Sequence, residues 1–128
     1  MIIGIGVDLV QVHRMERWRT NPRLLERFFH PDELAIALSK GGGVNQSLAA
    51  RFAAKEAFGK ALGIGLVGLA LKDIQVVSHP NGRPELAVSG TALRAFKESG
   101  ANRIHLSLTH ERDNAIALVV MERLECES

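Results

Sequence analysis

Fifteen residues, Leu48-Ala-Ala-Arg-Phe-Ala-Ala-Lys-Glu-Ala-Phe-Gly-Lys-Ala-Leu62, constrain the fold more than any other segment of the chain. They read as one helix, capped by Asn45 or Ser47 and stopped by Gly63. Most of the side chains between its charged and aromatic residues are alanines, so the helix is slim and can pack tightly. Phe52, Glu56 and Lys60 stand at i, i+4 and i+8 and form one stripe. Arg51 and Lys55 form the neighbouring stripe with Phe58. A carboxylate set among Ala and Phe is an unusual choice for plain solvent decoration. The bland alternative is a Glu56–Lys60 surface pair worth about 0.3–0.5 kcal/mol.

The N-terminal segment supplies a partner for such a helix. Residues 2–9 alternate as a strand, with Ile3, Ile5, Val7 and Leu9 on one face. The opposite face carries Ile2, Gly4, Gly6 and Asp8, and its two glycines leave room for close approach by another element. Asp8 then sits at the strand end. If the slim helix packs there, Asp8 and Glu56 meet. Two carboxylates brought together repel, more so when buried. A hard divalent cation relieves the repulsion, and Mg²⁺ commonly takes one or two carboxylates plus water and substrate phosphates. The pair therefore predicts a Mg²⁺–phosphate site, with Lys60 placed to neutralise phosphate charge.

The remaining segments fill out an α+β pattern. A short helix is expected over 10–19, a second over 22–29 behind the Asn21-Pro22 start, and a third over 31–40 opened by Pro31. Gly41-Gly42-Gly43 and residues 63–68 read as loops. Strands are expected over 73–78 and 84–88, joined by the turn His79-Pro80-Asn81-Gly82. A helix over 91–98 and strands over 103–109 and 115–121 complete the chain. Helices and hairpin-linked strands come in segregated runs. The expectation is one domain of class α+β, a mainly antiparallel sheet packed against the long central helix and shorter N-terminal helices.

Composition excludes several function classes. The chain has 128 residues, 46% hydrophobic and 23% charged, which is ordinary for a soluble globular domain. No apolar run is long enough for a transmembrane helix, and the start lacks the marks of a signal peptide. The single cysteine, Cys126, cannot form an internal disulfide and reads as a bystander, so a cytoplasmic home is expected. A net charge of +2 is too small to argue for nucleic acid. Its distribution says more: residues 12–29 hold five arginines against two glutamates, so this stretch is +3 and the remainder −1. Such a patch suits an acidic partner or a phosphate-rich ligand, or is simply a solvated helix face.

Two further groups of residues offer chemistry. Gly82-Arg83-Pro84 is a hairpin corner carrying a cation. Ser107-Leu108-Thr109-His110 ends a strand, with Ser107 and Thr109 on one face and His110 on the other. A Ser–His hydrolase is disfavoured, since those two side chains diverge and no elbow glycines flank the serine. No Gly-x-x-x-x-Gly-Lys-[Ser/Thr] loop is present, which removes the commonest nucleotide hydrolase.

These motifs, taken together, resemble the holo-acyl-carrier-protein synthase family, the small class of phosphopantetheinyl transferases. The likeness is carried by Gly6-Val7-Asp8, by Arg51 to Ala57 with Lys60 to Gly63, by the Gly82–Pro84 turn and by Ser107 to His110. Order, spacing and length agree over essentially the whole chain. Two departures stand out. Gly63-Ile64-Gly65 replaces a frequent Gly-Thr-Gly, and Leu108-Thr109 replaces a common Ile-Ser.

The resemblance implies a 4′-phosphopantetheinyl transferase fold and a Mg²⁺-dependent enzyme. It would move phosphopantetheine from coenzyme A to a serine of apo-acyl-carrier protein and release adenosine 3′,5′-bisphosphate. It implies that Asp8 and Glu56 hold the metal and that Asp8, Glu56 and Lys60 are the catalytic residues. Coenzyme A would meet Arg51, Lys60, Gly63, Gly82, Arg83, Pro84, Ser107, Thr109 and His110. The acidic carrier would dock on Arg14, Arg23, Arg27 and Phe28. A homotrimer with active sites between neighbours is implied too. The alternatives are another Mg²⁺-dependent phosphate-ester enzyme and a non-catalytic module that holds an acidic protein.

Overall fold

The computed structural model of the chain describes residues 1–125, so Cys126 lies outside the described residues. Five strands and five helices follow in chain order: β1 (Ile2–Gln11), α1 (Met15–Arg19), α2 (Pro22–Phe28), α3 (Pro31–Leu38), α4 (Val44–Leu62), β2 (Ile74–Ser78), β3 (Pro84–Val88), α5 (Gly90–Glu98), β4 (Arg103–His110) and β5 (Asn114–Glu122). The strands form two antiparallel sheets: a three-stranded sheet of order β1-β5-β4, and the β2–β3 hairpin.

Side-chain alternation decides which face of the larger sheet is covered. Gly6, Asp8 and Val10 pair with Val119, Ala117 and Ala115 of β5. Those same β5 residues, apart from Ala115, pair with Leu106 and Leu108 of β4. All lie on the inner face. Val10, Ala115, Ala117, Val119 and Met121 are buried there with Ala53, Ala54, Ala57, Phe58 and Ala61 of α4. Fully burying a side chain such as Phe58 is worth about 1.5–3 kcal/mol.

The glycines of β1 set the distance between sheet and helix. A Cβ at Gly4 would stand 1.9 Å from the Ala61 carbonyl oxygen, and one at Gly6 the same distance from that of Ala57. No side chain fits, so α4 lies against bare backbone, as the slim helix and glycine face suggest.

The structure corrects several boundaries. The strand expected over 2–9 continues to Gln11, which pairs with Asn114. Val10 extends the inward alternation and is 1% exposed, so burial keeps it in the sheet rather than in a helix. Asp8 is therefore inside the strand and not at its end. The expected helix over 10–19 shrinks to a 3₁₀ turn, Val12–Arg14, followed by α1. Neither Asn45 nor Ser47 caps α4, which begins one residue earlier at Val44 with Gly43 as its cap. Gly63 ends the helix as expected, with a φ of 80° that favours glycine. The hairpin turn also forms as expected: the His79 N–H donates to the Arg83 carbonyl at 2.8 Å.

Candidate functional site

The close approach of β1 and α4 brings three charged residues together. Lys60 Nζ donates to Asp8 Oδ1 at 2.9 Å and to the Val7 carbonyl at 3.1 Å. Asp8 has a side chain 16% exposed, while Lys60 is half exposed. Glu56, one turn before Lys60, is half-buried on the same stripe. Burial raises the Glu56 carboxyl above the usual glutamate range, and the nearby Asp8 charge raises it further; Lys60 and Arg14 act in the opposite direction. The hydrogen bond that Lys60 donates to Asp8, and then the Asp8 charge, raises the Lys60 ammonium, so Lys60 stays cationic through neutrality. The ordinary Glu56–Lys60 surface pair does not form among the described residues: Lys60 reaches to Asp8.

Two carboxylates, Asp8 and Glu56, here face the Lys60 ammonium, and Arg14 is close enough to act on Glu56 as a second cation. No cluster of three or more His, Cys, Asp or Glu able to hold a metal occurs among the described residues. A cage of that kind is not what Mg²⁺ uses; one or two carboxylates with water and phosphate oxygens suffice. Asp8 Oδ2 and the Glu56 carboxylate take no side-chain hydrogen bond among the described residues. They are the atoms available to a cation.

The neighbouring stripe of α4 is dry. Lys55 and Glu33 are both fully buried, with Nζ to Oε1 at 2.6 Å. Lys55 also donates to the Leu71 carbonyl at 3.0 Å and to the Ile74 carbonyl. Desolvation lowers its ammonium, offset in part by Glu33. Arg51 donates from Nε to Ser47 Oγ at 3.2 Å and from Nη1 to the Val76 carbonyl at 3.0 Å. Its guanidinium is lowered by burial, with Glu33 opposing.

Arg51 also lines a cavity of about 500 Å³. Gly82, Pro84 and His110 stand on the same wall, with Lys40, Ser47 and Ser78. Four residues expected to meet coenzyme A are thus gathered at one opening. The others are dispersed. Gly63 ends α4 near Lys60. Arg83 turns to Glu85 at 3.7 Å and lines a separate cleft with His105. Ser107 and Thr109 pair with Leu118 and Ile116 and so face outward, away from Asp8 and Glu56. A single chain does not bring them to the carboxylates.

The basic residues of the N-terminal helices surround aromatic rings. Arg14 lies 5.8 Å from the ring centroids of both Trp18 and Phe52, and Arg27 lies 5.7 Å from that of Phe28. Arg23 is exposed. Phe28 is half-buried, with its ring 5.1 Å from Trp18 and 6.1 Å from Phe52. It is part of a packed cluster rather than a free anchor. Sequence reasoning missed Trp18, although a lone tryptophan among arginines was a signal. It also missed Glu33, Lys40, Ser47 and Ser78. Glu33 carried one readable sign, its place three residues after His30 at the start of α3, where it closes a capping box.

Comparison with known proteins points one way. The sequence profile of the 4′-phosphopantetheinyl transferase superfamily matches residues 4–119. A holo-[acyl-carrier-protein] synthase of Treponema denticola is 57% identical over 122 residues, covering 95% of this chain and 99% of that one. Its counterpart in Treponema pallidum is 48% identical over 122 residues, covering 95% and 97%. The crystal structure of the Neisseria meningitidis synthase superposes with a TM-score of 0.87 at 35% identity, covering 96% of this chain and all of that one. The Helicobacter pylori synthase, solved in complex with coenzyme A, gives a TM-score of 0.79 at 31% identity, covering 92% and 99%.

Proposed function

Because this chain belongs to the 4′-phosphopantetheinyl transferase superfamily, we propose that its β1–α4 contact is the reaction centre of a holo-[acyl-carrier-protein] synthase. The enzyme transfers the 4′-phosphopantetheine group of coenzyme A to a serine of apo-acyl-carrier protein. The observation that carries the placing of the centre is the Asp8–Glu56–Lys60 group, packed against two glycines that no side chain can replace.

Asp8 and Glu56 would hold Mg²⁺. Bound there, the ion would supply Lewis-acid polarisation of the pyrophosphate oxygens and a template for the attack. The donor set fits: hard carboxylate oxygens, and a Glu56 carboxyl held up by burial and by its neighbour until a cation compensates. The carrier serine oxygen attacks the β-phosphorus as its proton leaves toward Glu56, directly or through one water. A phosphorus–oxygen bond forms to serine, and the bond to the bridging oxygen breaks. Adenosine 3′,5′-bisphosphate departs. Lys60, cationic and anchored by Asp8, neutralises charge on the transferring or leaving phosphate. Arg51, Gly63, Gly82, Arg83, Pro84, Ser107, Thr109 and His110 bind coenzyme A.

The carrier protein docks on Arg14, Arg23, Arg27 and Phe28, where cations ring an aromatic cluster and speed the approach of an acidic surface. The working assembly is a homotrimer. Its support is the outer face of the larger sheet, where Ile5, Val7 and Leu9 are 60%, 55% and 54% exposed beside Leu118. Ser107 and Thr109 share that face, so a neighbouring copy would carry them toward a second site. No helix of the described residues is long and apolar enough to cross a membrane. A cytoplasmic home accords with a coenzyme A substrate.

Intact mass tests the reading. Apo-acyl-carrier protein incubated with this enzyme, coenzyme A and Mg²⁺ gains one phosphopantetheine, and chelator abolishes the gain. No gain, together with no binding of coenzyme A, would reject it.

A further inference from the structure

Glu33 has no part in the chemistry above, yet it is completely buried. Three hydrogen-bond donors and one ion-pair partner converge on its carboxylate. Oε1 accepts the His30 N–H at 3.0 Å and Lys55 Nζ at 2.6 Å. Oε2 accepts the Val76 N–H at 3.1 Å and faces Arg51 Nη1 at 3.7 Å. Only an acceptor-only carboxylate serves all four, since an amide would turn a donor toward a donor. Capping of α3 accounts for the His30 contact alone.

The charges of this cluster do not balance. Glu33 is one carboxylate against the two cations Lys55 and Arg51, all three buried. Lys55 is complete, with three acceptors for its three protons. Arg51 is not. Its Nε and Nη1 are engaged, but Nη2 takes no acceptor among the described residues, and Arg51 lines the large cavity. The uncompensated positive charge therefore belongs to Arg51 and opens onto that cavity.

Arg51 is also held in a closed ring. Glu33 Oε2 accepts from the Val76 N–H, the Val76 carbonyl accepts from Arg51 Nη1, and the ion pair of Nη1 with Oε2 at 3.7 Å closes the ring. Ser78, two residues further along β2, and Gly82 and Pro84 of the same hairpin stand in the cavity wall. One carboxylate thus fixes both the guanidinium and the strand of the hairpin that lines the cavity with it. A guanidinium recognises phosphate through a planar fork, so orientation decides its usefulness.

We propose that Glu33 is a positioning residue for coenzyme A: it holds Arg51 with its unpaired edge toward the cavity, where a phosphate of coenzyme A completes the charge balance. This rests on the transferase reading given above. Preorganisation removes the entropy that a free arginine would lose on binding, so the effect falls on affinity for coenzyme A.

Glu33→Gln alone leaves Lys55 buried without a counter-charge and is prone to unfold. The deciding variant is therefore Glu33→Gln with Lys55→Met, which removes one charge of each sign and keeps the volume. It is expected to fold cooperatively and to bind coenzyme A about tenfold more weakly by titration calorimetry. KM for coenzyme A rises by the same factor, while kcat and KM for the carrier stay within about twofold. In an Arg51→Gln background the double change has no further effect on Kd. A folded double variant with wild-type Kd overturns the proposal. So does a double variant that cannot fold, because the carboxylate would then serve the fold and not the placing of Arg51. Calorimetry needs no turnover, so wild type that binds no coenzyme A rejects the transferase reading itself, a separate result.

Discussion

Lys55 and Glu56 are adjacent on α4, and the helix sends them to opposite environments. A rotation of about 100° per residue is enough. Lys55 enters a dry cluster where each of its protons has an acceptor. Glu56 enters a wet one, beside Asp8 and Lys60 and within reach of the Arg14 charge. The dry group holds one cation more than it has carboxylates and, through Arg51, lacks an anion. The wet group sets two partly buried carboxylates side by side, and on the proposed function a magnesium ion carried with phosphates would serve both. The difference teaches how one slim helix can build a reaction centre on one stripe and a rigid mount on the next.

The comparison breaks first at Glu56. If the wet cluster does the chemistry, Glu56→Gln lowers turnover by about 10³-fold or more, because it removes a metal ligand and a proton acceptor together. The fold is expected to survive, since Glu56 is half-buried and makes no ion pair among the described residues. Carrier modification followed by mass, beside a thermal melt, checks both halves. An unfolded variant would move Glu56 to the structural side of the comparison.

The dry cluster should behave in the reverse manner. Lys55→Met leaves Glu33 buried without its main partner, with Arg51 as the only remaining counter-charge at 3.7 Å. Loss of one partner of a buried pair typically costs about 3–5 kcal/mol, and the remaining arginine places this change near the lower end. Urea unfolding is expected to show that loss with an unchanged slope. At temperatures where the variant stays folded, kcat should hold within a few-fold. A stable Lys55→Met enzyme with lost turnover would reverse the assignment of the two stripes.

The wet cluster was far more legible in the sequence than the dry one, for a physical reason. Asp8 and Glu56 each lie on a strongly patterned element, and the glycines beside Asp8 announce a close partner. Two periodicities and one steric argument were enough to bring them together. Glu33 sits on a short helix with little pattern, and its partners lie 18 to 43 positions away in α4 and β2. No local rule reports that separation. Lys55 reads only as a member of the stripe next to that of Glu56, because helical spacing gives a residue's direction and not what lies there. The hairpin at Asn81-Gly82 was readable from its turn chemistry, whereas the length of β1 was not. The strand runs past Asp8 because Gln11 finds Asn114, a partner more than a hundred residues on.

The smallest effect concerns pH, and it separates a metal site from a merely crowded one. Burial and Asp8 raise the Glu56 carboxyl above its ordinary value of 4.5. A carboxyl raised by folding favours the native state where it is protonated. Its contribution is full below the unfolded value and is lost as pH rises through the folded one. In chelator, wild type should therefore lose stability relative to Glu56→Gln as pH climbs from 4.5 toward neutrality. If Mg²⁺ binds the ionised form, it should reverse the trend across that same window. At ten times its dissociation constant the ion adds about 1.4 kcal/mol. Melts with and without Mg²⁺ should coincide in acid, diverge as Glu56 ionises, and coincide again at every pH in Glu56→Gln. Curves that diverge equally in that variant would place the ion elsewhere and leave Glu56 as a crowded carboxylate without a metal.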